Sequence, residues 1–444
     1  MMEITIKILQ FVLSFSLLVV IHEFGHFIFA RMFGTRVEKF YLFFDPWFSL
    51  FKFKRGGTEY GIGWIPFGGY VKISGMVDES MDTEQLKQPV QPWEFRAKPA
   101  WQRLLIMLGG VMMNVLLALC IYIGMSYAWG DRYMANKDVA YGYAFNELAH
   151  EIGFRDGDRI LLVDGQQVED AAQVFPMIVI DQARTVTVER DGERVEVAIA
   201  PEYMPQLLET KAFMTPRVPF IVTEAVKGGA AAEAGFQPGD TLVAFNGEPM
   251  RYFDQYQPAL ADHAGQTVEI VVSRLRDGAA VTDTLPVQLT TEGQLGVKLM
   301  GPYDLIPLQT YSYTFWQAIP AGFHRTGTEL ANYWKQIKLI FSPKTEAYKS
   351  LGGIIAIGNI FPSFWSWEAF WQITAFLSIV LAVMNILPIP ALDGGHVMFL
   401  FFEVITGRKP GDKFMERAQI VGIAILFALL IFANGNDIYR FFIK

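Results

Sequence analysis

Residues 4–30 read ITIKILQFVLSFSLLVVIHEFGHFIFA, an apolar run that carries HEFGH (residues 22–26) near its end. About 20 apolar residues are enough for a helix to cross the bilayer. A secretory signal peptide would also begin with an apolar run, but the ionisable cluster stands where its apolar region should end, and no small-residue cleavage site follows. The stretch therefore predicts a retained transmembrane helix with polar chemistry inside the membrane.

Three further apolar runs follow along the 444 residues, at 104–129, 369–402 and 418–436. With 52% hydrophobic and 18% charged residues, the chain is neither disordered nor a conventional soluble enzyme. The net charge of −8 gives no support for a nucleic-acid partner. The lone Cys120 excludes an internal disulfide framework and a cysteine-based zinc site. We predict a polytopic α-helical membrane protein with four transmembrane helices, the third of them broken, anchored in the lipid bilayer.

Basic residues are concentrated in two loops, which orients the predicted helices. Eleven lie between the first and second runs and four follow the third: Arg31, Arg36, Lys39, Lys52, Lys54, Arg55, Lys72, Lys87, Arg96, Lys98 and Arg103, then Arg408, Lys409, Lys413 and Arg417. The positive-inside rule puts both loops in the cytoplasm, so both termini and residues 130–368 are expected outside. Residues 131–300 carry 14 Lys and Arg against 26 Asp and Glu, a balance of 14 − 26 = −12.

The acidic segment contains a repeat. GFRDGD (153–158) recurs as GFQPGD (235–240), and each copy reaches a turn glycine, Gly165 or Gly247, at the same offset of 82 residues. Alternating strand-like runs surround both copies. The pattern resembles tandem PDZ domains, which would offer a strand edge to an extended peptide or an external protein partner. A pair of β-rich spacers that bind nothing is the alternative, and the first copy, with the less typical residues 146–150 before it, is the better candidate for a spacer.

HEFGH is an HExxH motif. On a helix, His22 and His26 share a face, so both imidazoles can bind one zinc ion, and Glu23 can take a proton from zinc-bound water. Ionisable side chains in an apolar helix are costly unless they coordinate or pair, which favours function over coincidence.

A third protein ligand is needed to leave one open coordination position. Glu38 and Glu59 are possible, but both lie in the basic cytoplasmic loop. Asp393 is the better candidate, because it is the only acid in the apolar stretch 369–402 and stands in NILPIPALDGGH (385–396), where two prolines break the helix.

HEFGH in the first span, together with the NxxPxPxLDGGH stretch in a late span, closely resembles the intramembrane site-2 proteases. The tandem PDZ-like insertion between the second and third spans narrows the likeness to the bacterial regulator-of-sigma-E protease type, over essentially the whole chain. The resemblance implies zinc bound by His22, His26 and Asp393, Glu23 as the catalytic base, and Asn385 as a residue that holds the substrate strand.

Weaker family likenesses concern the surroundings of the site. EYGIGWIPFGGYVKISG (59–75), with Gly68 and Gly69 at its centre, resembles a membrane-reentrant β-hairpin that adds the substrate as a strand; an ordinary cytoplasmic hairpin is the alternative. Asn114 matches a GPxxN pattern and is assigned to substrate binding. Val111 replaces the proline of that pattern, so helix packing through Gly109 and Gly110 is a close alternative to an active-site role. Residues 314–341 resemble a gate-clamping helix or form a plain interfacial helix.

The resemblance implies cleavage within transmembrane segments of single-pass proteins, such as anti-sigma factors or signal-peptide remnants, in the bacterial inner membrane near its cytoplasmic side. A PDZ receptor with a structural metal and a zinc transporter are the alternatives, and Glu23 beside the ligands favours the enzyme. The predicted domains are 1–130 (first two transmembrane helices and the hairpin), 131–215 and 216–300 (PDZ domains), 301–368 (amphipathic region) and 369–444 (last two transmembrane helices).

Overall fold

The computed structural model describes residues 2–76, 88–210, 212–276 and 278–439; Lys87, used above to orient the chain, lies outside them. The helices are α1 (Met2–Met32), α2 (Ala100–Ala128), α3 (Glu147–Ile152), α4 (Val174–Val179), α5 (Met204–Glu209), α6 (Ala230–Glu233), α7 (Phe253–Asp262), α8 (Pro302–Leu305), α9 (Phe315–Ile340), α10 (Ile354–Asn359), α11 (Trp367–Ile386), α12 (Asp393–Thr406) and α13 (Asp412–Ile438). The strands are β1 (Val37–Phe44), β2 (Phe51–Arg55), β3 (Thr58–Ile62), β4 (Ile65–Ile73), β5 (Asp131–Met134), β6 (Tyr143–Phe145), β7 (Arg159–Val163), β8 (Gln166–Gln167), β9 (Thr185–Arg190), β10 (Glu193–Ala198), β11 (Met214–Pro216), β12 (Val222–Ala225), β13 (Thr241–Phe245), β14 (Glu248–Pro249), β15 (Thr267–Arg276), β16 (Ala279–Gln288), β17 (Val297–Leu299) and β18 (Leu308–Tyr311).

The chain forms two compact units. Residues up to 130, with 312–342 and the chain from 347 onward, form the membrane unit; residues 131–311, with 343–346, form the β-rich unit. Within the described residues, four helices are long and apolar enough to cross a membrane: α1, α2, α11 and α13. The expectation of a polytopic α-helical membrane protein is confirmed at this level.

Helix α2 is the centre of the membrane unit, since α1, α9, α11 and α12 all pack against it. The crossing of α1 and α2 is very close: a methyl group added at Gly25 would lie 2.1 Å from the carbonyl oxygen of Gly109. Small residues allow helix backbones to approach in this way inside a membrane. The predicted packing through Gly109 is therefore confirmed.

The third apolar run is broken, as predicted. Helix α11 ends at Ile386, and Leu387, which precedes Pro388, has an extended backbone (ψ 141°) because a residue before proline disfavours the helical conformation. The helix resumes at Asp393 as α12. The start of α12 packs so closely on the turn before it that position 394 has no room for a side chain, since a methyl group at Gly394 would lie 2.1 Å from the carbonyl oxygen of Leu387.

The hairpin predicted for residues 59–75 is wrong, because β3 and β4 do not pair with each other. They lie on either side of β1 in a four-stranded sheet with the order β2-β3-β1-β4, β3 parallel and β4 antiparallel to β1. The link between them crosses the end of β1, where the N–H groups of Gly63 and Trp64 donate to β1 carbonyls, and the chain then returns along the other side of β1. Strand β4 is consequently an edge strand of this sheet.

The aromatic stretch 314–341 forms one helix, as predicted. Thr314 caps α9, and its hydroxyl and N–H both donate to the Gln317 side chain. Arg325 ties this helix to its neighbours, because its guanidinium lies over the Tyr122 ring of α2 and donates to Gln372 of α11. Residues 301–311 pack with the β-rich unit and 312–342 with the membrane unit, so the segment 301–368 is divided between the two.

The sequence repeat corresponds to a repeated topology in the β-rich unit. The sheets have the orders β10-β9-β7-β8 and β16-β15-β13-β14, so equivalent strands occupy equivalent positions. The Asp-Gly and Asn-Gly turns are formed by Asp164 and Asn246, each with a φ of +46° before its glycine, as tight hairpin turns require. Each copy buries its own apolar core.

The last residue of each repeated GD motif has the same role in both copies. Asp158 accepts from the N–H of Arg155 and pairs with Arg190 at 2.7 Å, while Asp240 accepts from the N–H of Gln237 and pairs with Arg274 at 2.7 Å. The hydrogen bond and charge of Asp158 raise the pKa of Arg190. The repeated aspartate is thus an anchor of the fold.

The two ends of the β-rich unit lie side by side. Its first strand, β5, pairs antiparallel with its last strand, β18, and Asp131 stands opposite Tyr311. Residues paired across antiparallel strands have Cα atoms roughly 4.5–5.5 Å apart. The long segment 131–311 of this unit therefore begins and ends at neighbouring positions.

Candidate metal centre

The helical spacing of HEFGH brings its two imidazoles together. His22 and His26 are one turn apart on α1, their Nε2 atoms are 3.3 Å apart, and both residues are buried, at 8% and 6% exposed. Two imidazole nitrogens facing each other at this distance suit a shared cation.

Asp393 completes the group from a different part of the chain. It is the first residue of α12, directly after the helix break, and its Oδ2 lies 3.1 Å from Nε2 of His22 and 3.3 Å from Nε2 of His26. The same oxygen is buried without a hydrogen-bond partner in the described residues. The break brings the carboxylate to the imidazoles, so the structure joins the three residues that the sequence predicts as ligands.

The three donor atoms fit a zinc ion. Their separations are 3.1, 3.3 and 3.3 Å. A tetrahedral zinc ion with bonds of about 2.0–2.1 Å needs ligand atoms roughly 3.3 Å apart. The three donor atoms therefore form one face of such a tetrahedron. Two imidazoles and one carboxylate are also a donor set that zinc enzymes use, with the fourth position open. Among the described residues, this is the one cluster of its kind.

Groups on α2 orient both imidazoles. Nδ1–H of His26 donates to the carbonyl oxygen of Ile106 at 2.9 Å, which leaves Nε2 free for a metal. Nδ1 of His22 lies 3.1 Å from Nδ2 of Asn114, whose Oδ1 is buried and has no hydrogen-bond partner in the part of the chain that the structure describes. A half-turn of this amide would let Oδ1 accept from Nδ1–H, the pattern expected behind a metal-bound histidine.

Asn114 is completely buried behind His22 rather than in the cavity wall. This position favours a role in orienting the imidazole, and a direct contact with substrate stays a prediction. Gly110 lies one turn earlier on the same face, where an added methyl group would be 2.5 Å from Cε1 of His22 and 2.6 Å from Nε2 of His26. The two glycines of α2 thus differ: Gly109 packs against α1 and Gly110 makes room for the imidazoles.

A cavity of about 800 Å³ opens on the free side of the donor triangle. Its wall includes Glu23, His396 and residues 68–73 of the edge strand β4. A carboxylate, a metal site and a strand edge therefore share one cavity inside the membrane unit.

The other predicted site residues lie around this cavity. Asn385, the second-last residue of α11, lines it and has Nδ2 3.3 Å from Nε2 of His22, on the side open to the cavity. Gly69 lies against α1, and a methyl group there would be 2.7 Å from Val19 and 3.7 Å from Cγ of Glu23. Gly68 has a φ of +83°, which favours glycine.

Neither alternative third ligand approaches the histidines. Glu38 accepts from the hydroxyl of Ser74 at 2.9 Å, and Glu59 accepts from the hydroxyl of Tyr41 at 2.8 Å. Both carboxylates are thus engaged within the β1–β4 sheet, and Asp393 remains the candidate that the geometry supports.

Two groups of the cavity were not singled out from the sequence. The hydroxyl of Tyr70 donates to Oδ1 of Asp45 at 2.8 Å, and both residues line the cavity. Burial, then the hydrogen bond to Asp45, raises the pKa of Tyr70 well above its usual range, so Tyr70 stays neutral. Tyr70 adjoins the predicted Gly68–Gly69 pair, but its partner lies in the β1–β2 connection, which no motif marked.

The sequence of this chain is similar to those of known proteins. A sequence profile described as Peptidase family M50 matches residues 10–429. A protein of Xylella fastidiosa (strain 9a5c), named as a zinc metalloprotease, is 30% identical over 450 residues, which cover 96% of this chain and 97% of the relative. A protein of Salmonella typhimurium (strain 14028s / SGSC 2262), named regulator of sigma-E protease RseP, is 28% identical over 472 residues, which cover 99% of this chain and 100% of the relative.

Proposed function

This chain belongs to peptidase family M50 and is a zinc metalloprotease, and on that premise we propose that it hydrolyses peptide bonds within the transmembrane segments of single-pass membrane proteins. The observation that carries the proposal is the position of the donor triangle of His22, His26 and Asp393. It lies between apolar helices of the membrane unit and opens onto a cavity that also holds Glu23.

The residues of the cavity divide the chemistry among them. His22, His26 and Asp393 would hold the zinc, which when bound polarises the peptide carbonyl and lowers the pKa of a water to about 7. Glu23 takes the proton of the attacking water and passes it to the leaving amine nitrogen. The carbonyl of Ile106 keeps the proton of His26 on Nδ1, so that Nε2 faces the site.

The substrate must be extended before it can react, because a helix hides its carbonyls in internal hydrogen bonds. We infer that β4 receives it: an edge strand has unpaired backbone groups that can add a further strand, and residues 68–73 face the cavity. Asn385, within 3.3 Å of Nε2 of His22, is in position to hold the same strand near the metal.

The distribution of basic residues supports a topology with both termini and the β-rich unit outside the cytoplasm and the β1–β4 sheet on the cytoplasmic side. In a bacterium, this location is the inner membrane. The metal site would then lie toward the cytoplasmic side, because His26 stands near the end of α1 from which the basic loop continues.

The two copies of the β-rich unit are proposed to be PDZ domains. Their shared strand order and the repeated GD motifs support this assignment. We propose that they exclude substrates with bulky external domains, and that the second copy is the better candidate for binding a peptide or an external protein partner.

The proposed substrates are single-pass proteins already trimmed on the outside. The Salmonella relative is named for regulation of sigma-E, which supports an anti-sigma-factor-like substrate for this chain. Signal-peptide remnants are a second substrate of the same chemistry, since they too are short apolar helices without a large external domain.

Replacement of the proposed base tests the mechanism. Glu23→Gln keeps the size of the side chain and removes the proton acceptor, so cleavage of a single-pass substrate in detergent should fall by about 10²–10⁴-fold while the zinc content is unchanged. Glu3→Gln, on the same helix but in its first turn, is the matched control and should cleave normally.

The metal ligands need a separate test. Asp393→Asn should lower the zinc content, and removal of zinc by a chelator should abolish cleavage until zinc is added back. Wild-type cleavage rates in zinc-loaded Glu23→Gln would contradict the protease mechanism. Zinc transport into vesicles, or peptide binding with no cleavage of any single-pass protein, would favour a transporter or a PDZ receptor instead.

A further inference from the structure

A buried ion pair joins α12 to the first turn of α2. Nη2 of Arg103 lies 2.5 Å from Oε1 of Glu403, and the two side chains are only 10% and 16% exposed. Nε of Arg103 donates to the carbonyl of Lys98 at 2.9 Å, and the guanidinium lies over the Phe95 ring. Arg103 is thus held by its own surroundings and presents a fixed partner to Glu403.

This pair matters because α12 is not continuous with α11. Residues 387–392 between them are not helical, so the helical backbone of α11 does not extend into α12 and does not by itself fix the position of the far part of α12. Asp393, at the start of α12, must nevertheless approach two Nε2 atoms at 3.1 and 3.3 Å. The turn packs closely around the start of α12, and contacts further along α12 share in fixing its position.

The histidines are oriented from α2, through the carbonyl of Ile106 and the amide of Asn114. Helix α12 packs on the same helix, where Leu400, seven residues after Asp393, joins an apolar cluster with Ile106 and Met107. Apolar contacts of this kind have little directionality. A charged hydrogen bond between fixed groups has a defined direction and length, so it can set the register of α12 on α2.

We propose that Arg103 and Glu403 are positioning residues for the metal site: their ion pair fixes α12 on α2 and thereby holds Asp393 against His22 and His26. The proposal rests on the zinc site of the proposed function. Ten residues separate Asp393 from Glu403, about 15 Å along a rigid helix, so a slide or rotation permitted at one end moves the carboxylate at the other.

The energetics of buried ion pairs support a role in positioning. Burying two charges costs about as much as their attraction returns, and apolar pairs of similar size are often equally stable. Stability alone therefore gives little reason for an ion pair at this place. The double substitution Arg103→Met with Glu403→Met should keep α12 packed on α2 while removing the directional contact.

The test measures zinc retention by the full-length protein in detergent. Loaded with zinc and challenged with a chelator, Arg103→Met/Glu403→Met should lose zinc about 10-fold faster or more, as when groups that orient a metal ligand are removed. The thermal midpoint of the zinc-free protein should change little. The exchanged pair Arg103→Glu/Glu403→Arg should recover part of the retention, because it restores a charged contact.

The β-rich unit offers a matched control. Arg217 and Asp254 form an ion pair at 2.7 Å with side chains 12% and 19% exposed, similar in burial to Arg103 and Glu403. Arg217→Met/Asp254→Met should leave the rate of zinc loss unchanged.

Two results would overturn the proposal: zinc loss from Arg103→Met/Glu403→Met at the wild-type rate, or equal acceleration in the Arg217→Met/Asp254→Met control. Failure of the metal site itself gives a different result, since zinc retention would then be insensitive to Asp393→Asn as well. In that case both the proposed metal site and the positioning role of the ion pair would be wrong.

Discussion

At the scale of single residues, the candidate site depends on glycines, which have no side chain, as much as on its candidate ligands. Gly110 faces both imidazoles, and Gly25 and Gly109 let α1 and α2 approach closely enough for the Ile106 carbonyl to reach His26. Any side chain at these positions would separate the helices or displace a ligand. Close packing of the two helices is therefore part of the candidate metal site.

Gly110→Ala should disable the site without unfolding the protein. The added methyl group would stand 2.5 Å from Cε1 of His22 and 2.6 Å from Nε2 of His26, so the imidazoles must turn away. We expect the zinc content and the cleavage rate to fall together. Gly124→Ala, on the same helix with no atom near its added methyl group, should behave as wild type. Full zinc binding by Gly110→Ala would contradict the geometry described for the site.

The candidate ligands could be singled out from the sequence, whereas the groups that orient them could not. His22, Glu23 and His26 carry a helical spacing, and Asp393 is the lone acid of a broken apolar helix. The acceptor behind His26 is a backbone carbonyl, which any residue at position 106 would supply. Sequence contains no signal for such a contact, because it depends on how two helices cross.

At the scale of elements, the break between α11 and α12 carries backbone strain. Ala391 has a φ of +86°, a region in which a non-glycine residue costs about 1–3 kcal/mol. It stands two residues before Asp393 and lines the cavity. The turn that aims the carboxylate is therefore held in place by the surrounding packing.

Substitution at Ala391 should show whether the backbone conformation of this turn affects zinc binding. Ala391→Gly suits the positive φ, so the zinc-bound protein should be as stable as wild type or slightly more stable. Ala391→Val adds a β-branched side chain to the same conformation and should lower zinc retention. Thermal unfolding and metal analysis of the two variants would check this, and equal zinc retention in both would show that the strained turn does not aim Asp393.

The helix break and the β1–β4 sheet show where prediction by pattern succeeds and fails. Prolines and glycines mark the break locally, because each restricts its own backbone or that of its neighbour. The sheet was mistaken for a hairpin because β1, which lies between β3 and β4, comes from earlier in the chain. Alternation predicts that a strand exists, but not which strands are its neighbours.

At the scale of the whole molecule, the chain divides into a membrane unit with the metal site and a β-rich unit. The repeat could be predicted from two sequence motifs at a fixed offset, because its turns and its buried aspartates each require particular residue types. The pairing of β5 with β18 could not be predicted, since the sequences of residues 131–134 and 308–311 contain no pattern that indicates that these strands pair.

Excision of the β-rich unit tests its proposed role as a size filter. Joining β5 to β18 by a short turn, in place of residues 135–307, should leave a membrane unit that binds zinc. This variant should cleave a single-pass substrate that still carries a folded external domain, which the full chain should cleave much more slowly. Equal rates on trimmed and untrimmed substrates in the full chain would contradict the filter, and loss of zinc would show that the unit supports the membrane fold.

The side-by-side ends of the β-rich unit have a consequence for how such a chain can change over time. A module whose entry and exit are adjacent strands can be lengthened, duplicated internally or exchanged for another without altering the spacing of the helices on either side. The two copies have the same strand order, as a duplication within this inserted unit would produce. Selection on the β-rich unit can then proceed separately from selection on the chemistry of the membrane unit.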